Sequence, residues 1–247
     1  MKAVILAAGM GTRLRPITET LPKAFLPIDG KPLIYYSLEN LAKSGITDVL
    51  IVTGFLHDRF HDEIGDSFRD SLNFEYAHNP RYSATGSMYS LSQTQDMIDE
   101  DIILLESDLL YEQRAIERLM EHDFRDMMLV APLSGSGDEV YITADEEMHL
   151  TNLGKDIPEK DQAIGELVGI TKLSYSYLEK VWECAVQDYE NGKENYHYEE
   201  VIVRVAKTDR PLQCLKLPGL AWIEIDKAED LQRAKEVVYP AIRQNKK

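Results

Sequence analysis

The tightest constraint on the fold lies in the first eleven residues. Ala3-Val4-Ile5-Leu6-Ala7 is an unbroken apolar run, and Gly9 and Gly11 follow almost at once. Continuous apolar character, as opposed to alternation, suits a strand in a parallel sheet covered on both faces. Glycines directly after such a strand let the backbone turn sharply and approach a ligand closely. The loop they open runs to Gly30 and contains Pro16, Pro22 and Pro27, so it cannot be mainly helix. The run is too short for the apolar region of a signal peptide, and no stretch approaches the ~20 apolar residues of a membrane span. A cytoplasmic protein that does not enter membranes is the expectation.

The rest of the chain continues in the same style. Pro32 stands where a helix would begin, Leu33, Tyr36, Leu38 and Leu41 follow at helical spacing, and Gly45 stops the run. Strands are expected at 48–53, 73–76, 101–105 and 127–131, with helices at 59–64, 87–97 and 111–120. This alternation predicts an α/β fold: a Rossmann-like, doubly wound, mainly parallel but mixed sheet flanked by helices. After Pro132 the pattern changes. Two short antiparallel strands at 139–143 and 148–153, joined by a turn at 144–147, read as a small antiparallel annex. A strand at 164–171, helices at 175–189 and 198–206, and strands at 212–217 and 222–225 follow. The last helix is expected at 226–238, with Asp226 as its N-cap and Glu229 completing a capping box. The chain reads as one domain, 1–247, with a parallel-sheet half at 1–132 and a mixed half at 133–247 that folds back on it.

Composition narrows the partners. The 247 residues carry 27 Lys+Arg against 43 Asp+Glu, a net charge of −16, which argues against nucleic acid and anionic membrane. It leaves room for a small anionic ligand in a locally basic pocket. Arg13, Arg15, Lys23 and Lys31 outnumber Glu19 and Asp29 in residues 9–31, so the basic site is expected there. The two cysteines, Cys184 and Cys214, fit neither a CxxC motif nor a zinc cluster and read as reduced thiols. His57, His61 and His78 stand isolated, with no metal-ligand spacing.

The glycine loop itself excludes two familiar phosphate-binding motifs. A Walker A loop closes on Gly-Lys-Ser/Thr, and here Gly11 is followed by Thr12-Arg13. A dinucleotide fingerprint needs a third glycine where Leu14 stands. What remains is a loop whose amides can cradle phosphate oxygens, beside Arg13, Arg15 and Lys23, with the small Ala7 and Ala8 leaving room for a flat base or sugar.

Leu6-Ala7-Ala8-Gly9-Met10-Gly11-Thr12-Arg13-Leu14-Arg15-Pro16-Ile17-Thr18, then Pro22-Lys23, resembles the signature of the sugar- and alcohol-phosphate nucleotidyltransferases. That motif reads L-A-A-G-x-G-T/S-R-L-x-P-x-T followed by P-K, and every fixed position is met. The resemblance implies that Leu6, Ala8, Gly9, Gly11, Thr12, Arg13 and Lys23 hold a nucleoside triphosphate, with Arg13 and Lys23 acting on its phosphates during transfer. It makes 1–132 the nucleotide-binding half and 133–247 the acceptor-binding half.

Glu106 and Asp108 close the apolar strand 101–105, at the end where open α/β sheets place ligands. Mg²⁺ is commonly held by one or two carboxylates plus substrate phosphates. The resemblance assigns it to Asp108 and to a second acid from Trp222-Ile223-Glu224-Ile225-Asp226, with Asp226 the closer match. Glu106 reads as a supporting acid.

The segment Asn79 to Leu91 resembles the cytidylyltransferase branch acting on choline phosphate and 2-aminoethylphosphonate. Its Ala84-Thr85-Gly86-Ser87, together with LLESDLLYE, is more similar to the aminoethylphosphonate enzymes. The resemblance implies CTP as donor, with Thr85, Gly86 and Ser87 near its base and ribose. An ammonium head group wants carboxylates or an aromatic face, and Asp138, Glu139, Tyr141, Glu166, Trp222 and Glu224 are the candidates. Lys155 resembles the family lysine that approaches the acceptor phosphate.

The expected reaction is therefore Mg²⁺-dependent transfer of CMP from CTP to 2-aminoethylphosphonate, a step of phosphonate biosynthesis. Choline phosphate or ethanolamine phosphate is the alternative acceptor, and a catalytically idle nucleotide-binding regulatory domain is the alternative of another class. The run Gln244-Asn245-Lys246-Lys247 carries no terminus signal, which leaves open that the chain is a module of a longer multifunctional protein. Oligomeric state is open too, with a dimer an option.

Overall fold

The computed structural model of the chain describes residues 1–64, 67–208 and 210–245. Lys246 and Lys247, part of the terminal run noted above, lie outside them. β1 (Lys2–Ala7) is buried along its whole length. The proline-rich loop after it makes single 3-10 turns at Thr12–Leu14, Ile17–Glu19 and Lys23–Phe25. It ends in a two-residue ribbon, β2 (Pro27–Ile28) against β3 (Lys31–Pro32), that delivers the chain into α1 (Leu33–Lys43). Then come β4 (Asp48–Thr53), α2 (Asp58–Ile64), β5 (Asn73–His78), α3 (Ser87–Ser92) and β6 (Ile102–Glu106). β6, β1, β4 and β5 lie side by side and parallel, with Ile5 opposite Ile51 on one side and Leu105 on the other.

The remainder runs β7 (Leu109–Tyr111), α4 (Arg114–Glu121), β8 (Met127–Ala131), β9 (Tyr141–Ala144), β10 (Leu150–Gly154) and β11 (Gly165–Leu173). It closes with α5 (Tyr175–Glu190), α6 (Tyr198–Thr208), β12 (Gln213–Lys216), β13 (Trp222–Glu224), α7 (Ala228–Arg233) and α8 (Tyr239–Asn245). β11 runs antiparallel to β6 and lies between it and β8, so the second half of the chain completes one nine-stranded sheet. β9 and β10 extend its far end as antiparallel strands. The fold is the expected Rossmann-like α/β arrangement with a mixed, mainly parallel core.

Alternation along the buried strands sends successive side chains to opposite faces. Val4 and Leu6 join one core beneath α3, α5 and α6, while Ala3, Ile5 and Ala7 join another beneath α1, α2 and α4. A third cluster ties the glycine loop to the C-terminal helices: Leu14, Leu26 and Ile28 pack with Ile225, Leu231 and Ile242. That cluster docks residues 226–245 against the start of the chain. No helix among the described residues is long and apolar enough to cross a membrane.

Local expectations failed in three places. Tyr111 belongs to β7, not to a helix, because β13 pairs with it; α4 begins only at Arg114. The helix expected at 87–97 stops at Ser92, and a 3-10 turn takes Gln95–Met97. The last helix begins after Lys227, and Asp230, not Glu229, accepts the backbone N–H groups of Asp226 (3.0 Å) and Lys227 (2.8 Å). The Asp226 side chain is drawn away from any capping role by cations. Cys184 and Cys214 are not in disulfides, and burial pushes the Cys214 thiol up to about 12.

Candidate active site

The C-terminal ends of β1 and β6 open into a cleft of about 1220 Å³. The glycine loop forms one wall. Gly11 takes the left-handed conformation, with φ at 59°. Its carbonyl accepts Thr18 Oγ1 at 2.7 Å and the Leu14 N–H at 3.0 Å, which rolls the loop around buried Thr18. The next segment then sets Lys23 under the loop.

Lys23 is the centre of the site. Its Nζ donates to Asp108 Oδ2 at 2.5 Å and to Asp226 Oδ1 at 2.6 Å. Asp226 reaches it through antiparallel pairing of β7 and β13, in which Glu224 lies opposite Leu109 and the Ile225 N–H donates to the Asp108 carbonyl. Arg13 Nη2 pairs with the same Asp226 Oδ1 at 2.8 Å, and its Nη1 reaches Asp138 Oδ2 at 2.8 Å. Lys155 Nζ donates to Asp138 Oδ1 at 2.6 Å. Lys155, Asp138, Arg13, Asp226, Lys23 and Asp108 thus form one chain of alternating charge. Burial works against the charge on Lys23, but Asp108 and Asp226 outweigh it and hold its pKa above the usual lysine range. Burial likewise opposes the charge on Asp226, and Lys23 with Arg13 keeps its pKa below the usual carboxylate range.

The loop after β5 makes a second wall. Buried Asn79 organises it, donating to Thr85 Oγ1 and Ser90 Oγ and accepting the Arg81 N–H. Gly86 presses on the backbone of Tyr196, and a Cβ there would lie 2.5 Å from the Tyr196 carbonyl carbon. Ser87 Oγ accepts the Tyr198 N–H at 3.1 Å. Arg81 clamps the same crossing segment through two bonds to Glu194, at 2.8 and 2.6 Å.

Of the residues expected at the site, Ala7, Arg15, Lys31 and Tyr141 are not in the lining of this cleft, whereas Leu6, Ala8, Gly9, Gly11, Thr12, Arg13 and Lys23; Thr85, Gly86 and Ser87; Asp108, Asp138, Glu139, Lys155, Glu166, Trp222, Glu224 and Asp226 line it. Tyr141 stands on β9 with Lys160 Nζ 5.1 Å from its ring centre. Glu139 accepts the Gly137 N–H at 3.3 Å. Glu166, despite accepting from Ser134 Oγ at 3.1 Å, is pushed up to about 7, chiefly by burial.

The expectation of a basic pocket needs correction. Residues 9–31 are locally basic in sequence, but folding brings Glu106, Asp108, Asp138, Glu199, Glu224 and Asp226 to the same cleft. Glu199 escaped sequence reasoning, because a glutamate in the first turn of a helix looks like an ordinary partner of the helix dipole. Burial, with Glu199 and Asp108 nearby, pushes Glu106 well above the carboxylate range; burial, with Asp108 and Glu106, does the same to Glu224. Tyr198 OH donates to Glu106 Oε1 at 2.8 Å. β11 makes room for Glu106 with a kink at Gly169, whose φ is 80° and where a Cβ would meet Glu106 Oε2 at 2.8 Å.

The residues fit a divalent cation. Glu106, Asp108 and Glu224 bring one carboxylate oxygen each within 4.8 Å of one another. Asp108 Oδ1 is out of solvent and without a hydrogen-bond partner among the described residues. An all-oxygen donor set is the kind that Mg²⁺ takes. His57 and His78 instead meet as tilted rings with centroids 4.3 Å apart, and neither lines the cleft.

The chain matches known proteins along most of its length. The family model described as "Nucleotidyl transferase" matches residues 2–239. The choline-phosphate cytidylyltransferase of Streptococcus pneumoniae is 26% identical over 96% of this chain and 98% of its own. The CMP-5'-(3-aminopropyl)phosphonate synthase of Streptomyces rubellomurinus is 25% identical over 95% of this chain, which spans 38% of that longer protein. Among solved structures, the inositol-1-phosphate CTP transferase from T. maritima superposes with a TM-score of 0.83 at 21% identity, covering 100% of this chain and 96% of that one.

Proposed function

The chain belongs to the nucleotidyl transferase family, and on that premise we propose that it transfers CMP from CTP to 2-aminoethylphosphonate, releasing pyrophosphate. The observation that carries the reading is Lys23 held between Asp108 and Asp226 directly beneath the glycine loop. In-line displacement at phosphorus needs positioning and charge stabilisation, not a protein nucleophile. Arg13 and Lys23 neutralise the triphosphate as it enters, exchanging carboxylate partners for phosphate oxygens. Lys155, near the acceptor wall, orients the phosphonate, whose oxygen attacks the α-phosphorus as the bond to pyrophosphate breaks. When bound, Mg²⁺ would lower charge repulsion on the phosphates; Asp108 and Glu224, with Glu106 beside them, would hold it, and Asp226, the second expected ligand, stands across Lys23 from Asp108. Thr85, Gly86 and Ser87 face the base and ribose, and Asp138, Glu139, Glu166 and Trp222 stand on the acceptor side of the cleft.

Support for cytidine comes from the relatives, two of which are named for cytidylyl or CMP chemistry. Their names also pair that chemistry with a phosphate or phosphonate bearing a cationic nitrogen. The likeness to the choline-phosphate enzyme over nearly its full length favours choline phosphate as the second reading. Pyrophosphate release across four nucleoside triphosphates and a panel of acceptors tests both. CTP with 2-aminoethylphosphonate is expected to be fastest. Equal or faster turnover with choline phosphate overturns the acceptor, and indifference to the base overturns the donor.

A further inference from the structure

We propose that Glu199 receives the cationic nitrogen of the acceptor. This deepens the reading just given and rests on it. Most acids of the cleft are already engaged. Asp108 and Asp226 face Lys23, Asp138 faces Arg13 and Lys155, and Glu139 accepts a backbone N–H from its own loop. Glu199 differs. Its Oε2 is out of solvent and has no hydrogen-bond partner among the described residues, although the side chain lines the cleft. Glu106 accepts from Tyr198 OH on Oε1 and belongs to the cation cluster with Asp108 and Glu224.

The backbone that carries Glu199 is braced: Tyr198, immediately before it, is 1% exposed, and its N–H is fastened to Ser87 of the second wall. A desolvated carboxylate oxygen without a hydrogen-bond donor is costly, and a cationic ligand removes that cost. The form of the cation follows from the donors it must offer. A primary ammonium carries three N–H groups and can donate one to Glu199 Oε2. A trimethylated nitrogen offers none and leaves that oxygen without a donor. Glu199 therefore selects for an amine of the primary type.

The test measures kcat/KM for 2-aminoethylphosphonate, choline phosphate and ethylphosphonate, which lacks the nitrogen, in the wild type, Glu199→Gln, Glu199→Asp and Asp138→Asn. KM for CTP and a thermal melt are recorded alongside. The preference of the wild type for the aminoethyl compound over ethylphosphonate is expected to fall about 10²-fold in Glu199→Gln, and less in Glu199→Asp, which keeps the charge. An unchanged preference in a folded Glu199→Gln, or a loss in Asp138→Asn alone, overturns the assignment while leaving the proposed reaction intact. If the wild type turns over choline phosphate as fast as or faster than 2-aminoethylphosphonate, the selection for a primary amine is overturned together with the acceptor reading. If no cationic acceptor outruns ethylphosphonate in the wild type, both fail.

Discussion

Replacing Lys23 by methionine tests the charge architecture of the cleft directly. The three side chains involved are little exposed, Lys23 at 13%, Asp108 at 18% and Asp226 at 11%, so solvent does not screen them as it would a surface pair. Removing the cation leaves two carboxylates facing each other without their shared partner. Losing one member of a buried pair costs about 3 kcal/mol or more, which for a chain of this size lowers Tm by on the order of 10 °C. The pH dependence supplies a sharper signature. In the wild type the pKa of Asp226 is depressed, so its contribution is present above the unfolded value of about 3.9 and is lost as pH falls through the folded one. The pKa of Lys23 is raised, so its contribution is complete below about 10.4 and is lost only at higher pH. In Lys23→Met the two carboxylates repel, their protonation relieves the strain, and acidification from pH 6 towards pH 4 should cost the variant less stability than the wild type. Urea unfolding across that range, without added metal, reads both effects. Turnover should fall on the order of 10²-fold or more. A variant as stable as the wild type at pH 7, with an unchanged acid limb, would refute the argument that Lys23 holds these acids together.

Two further outcomes follow from packing and burial. Gly86→Ala drives a methyl into the Tyr196 backbone and should cost about 2 kcal/mol, with a higher KM for CTP because the Thr85–Ser87 wall is displaced; a melt and a CTP titration check it, and an unchanged pair of values would mean that the crossing segment yields freely. Glu166 has its pKa raised to about 7, so the folded state binds more protons than the unfolded one between about pH 4.3 and that value, and stability falls as pH rises through the window; in Glu166→Gln that fall should be absent from urea midpoints measured between pH 4.5 and 8.

The legibility of the site divides by the range of the interaction. Arg13, Lys23 and Asp108 stand out in sequence because each belongs to a short stretch with its own steric logic: a glycine turn, a proline-bounded segment and the end of an apolar strand. Glu199 does not, since nothing around it in the chain marks it as buried. Its environment is made by Glu106, 93 positions earlier, and by Gly169, whose left-handed conformation kinks β11 around Glu106. Tyr141 shows the limit of reading a site from chain neighbours. Its neighbours Asp138 and Glu139 line the cleft, but the strand they lead into points the ring towards Lys160.

By itself the sequence determined the strand and glycine loop at the start, the alternation that builds a doubly wound sheet, and the three cations of the loop and annex, because backbone conformation and apolar periodicity are set by near neighbours. Only the tertiary structure decided that β11 enters the middle of the sheet, that β13 carries Asp226 to Lys23, and that a segment basic in sequence becomes the floor of an acid-lined cleft. Those outcomes depend on strand pairing and helix docking between distant residues, whose energies appear only once the cores have closed around them.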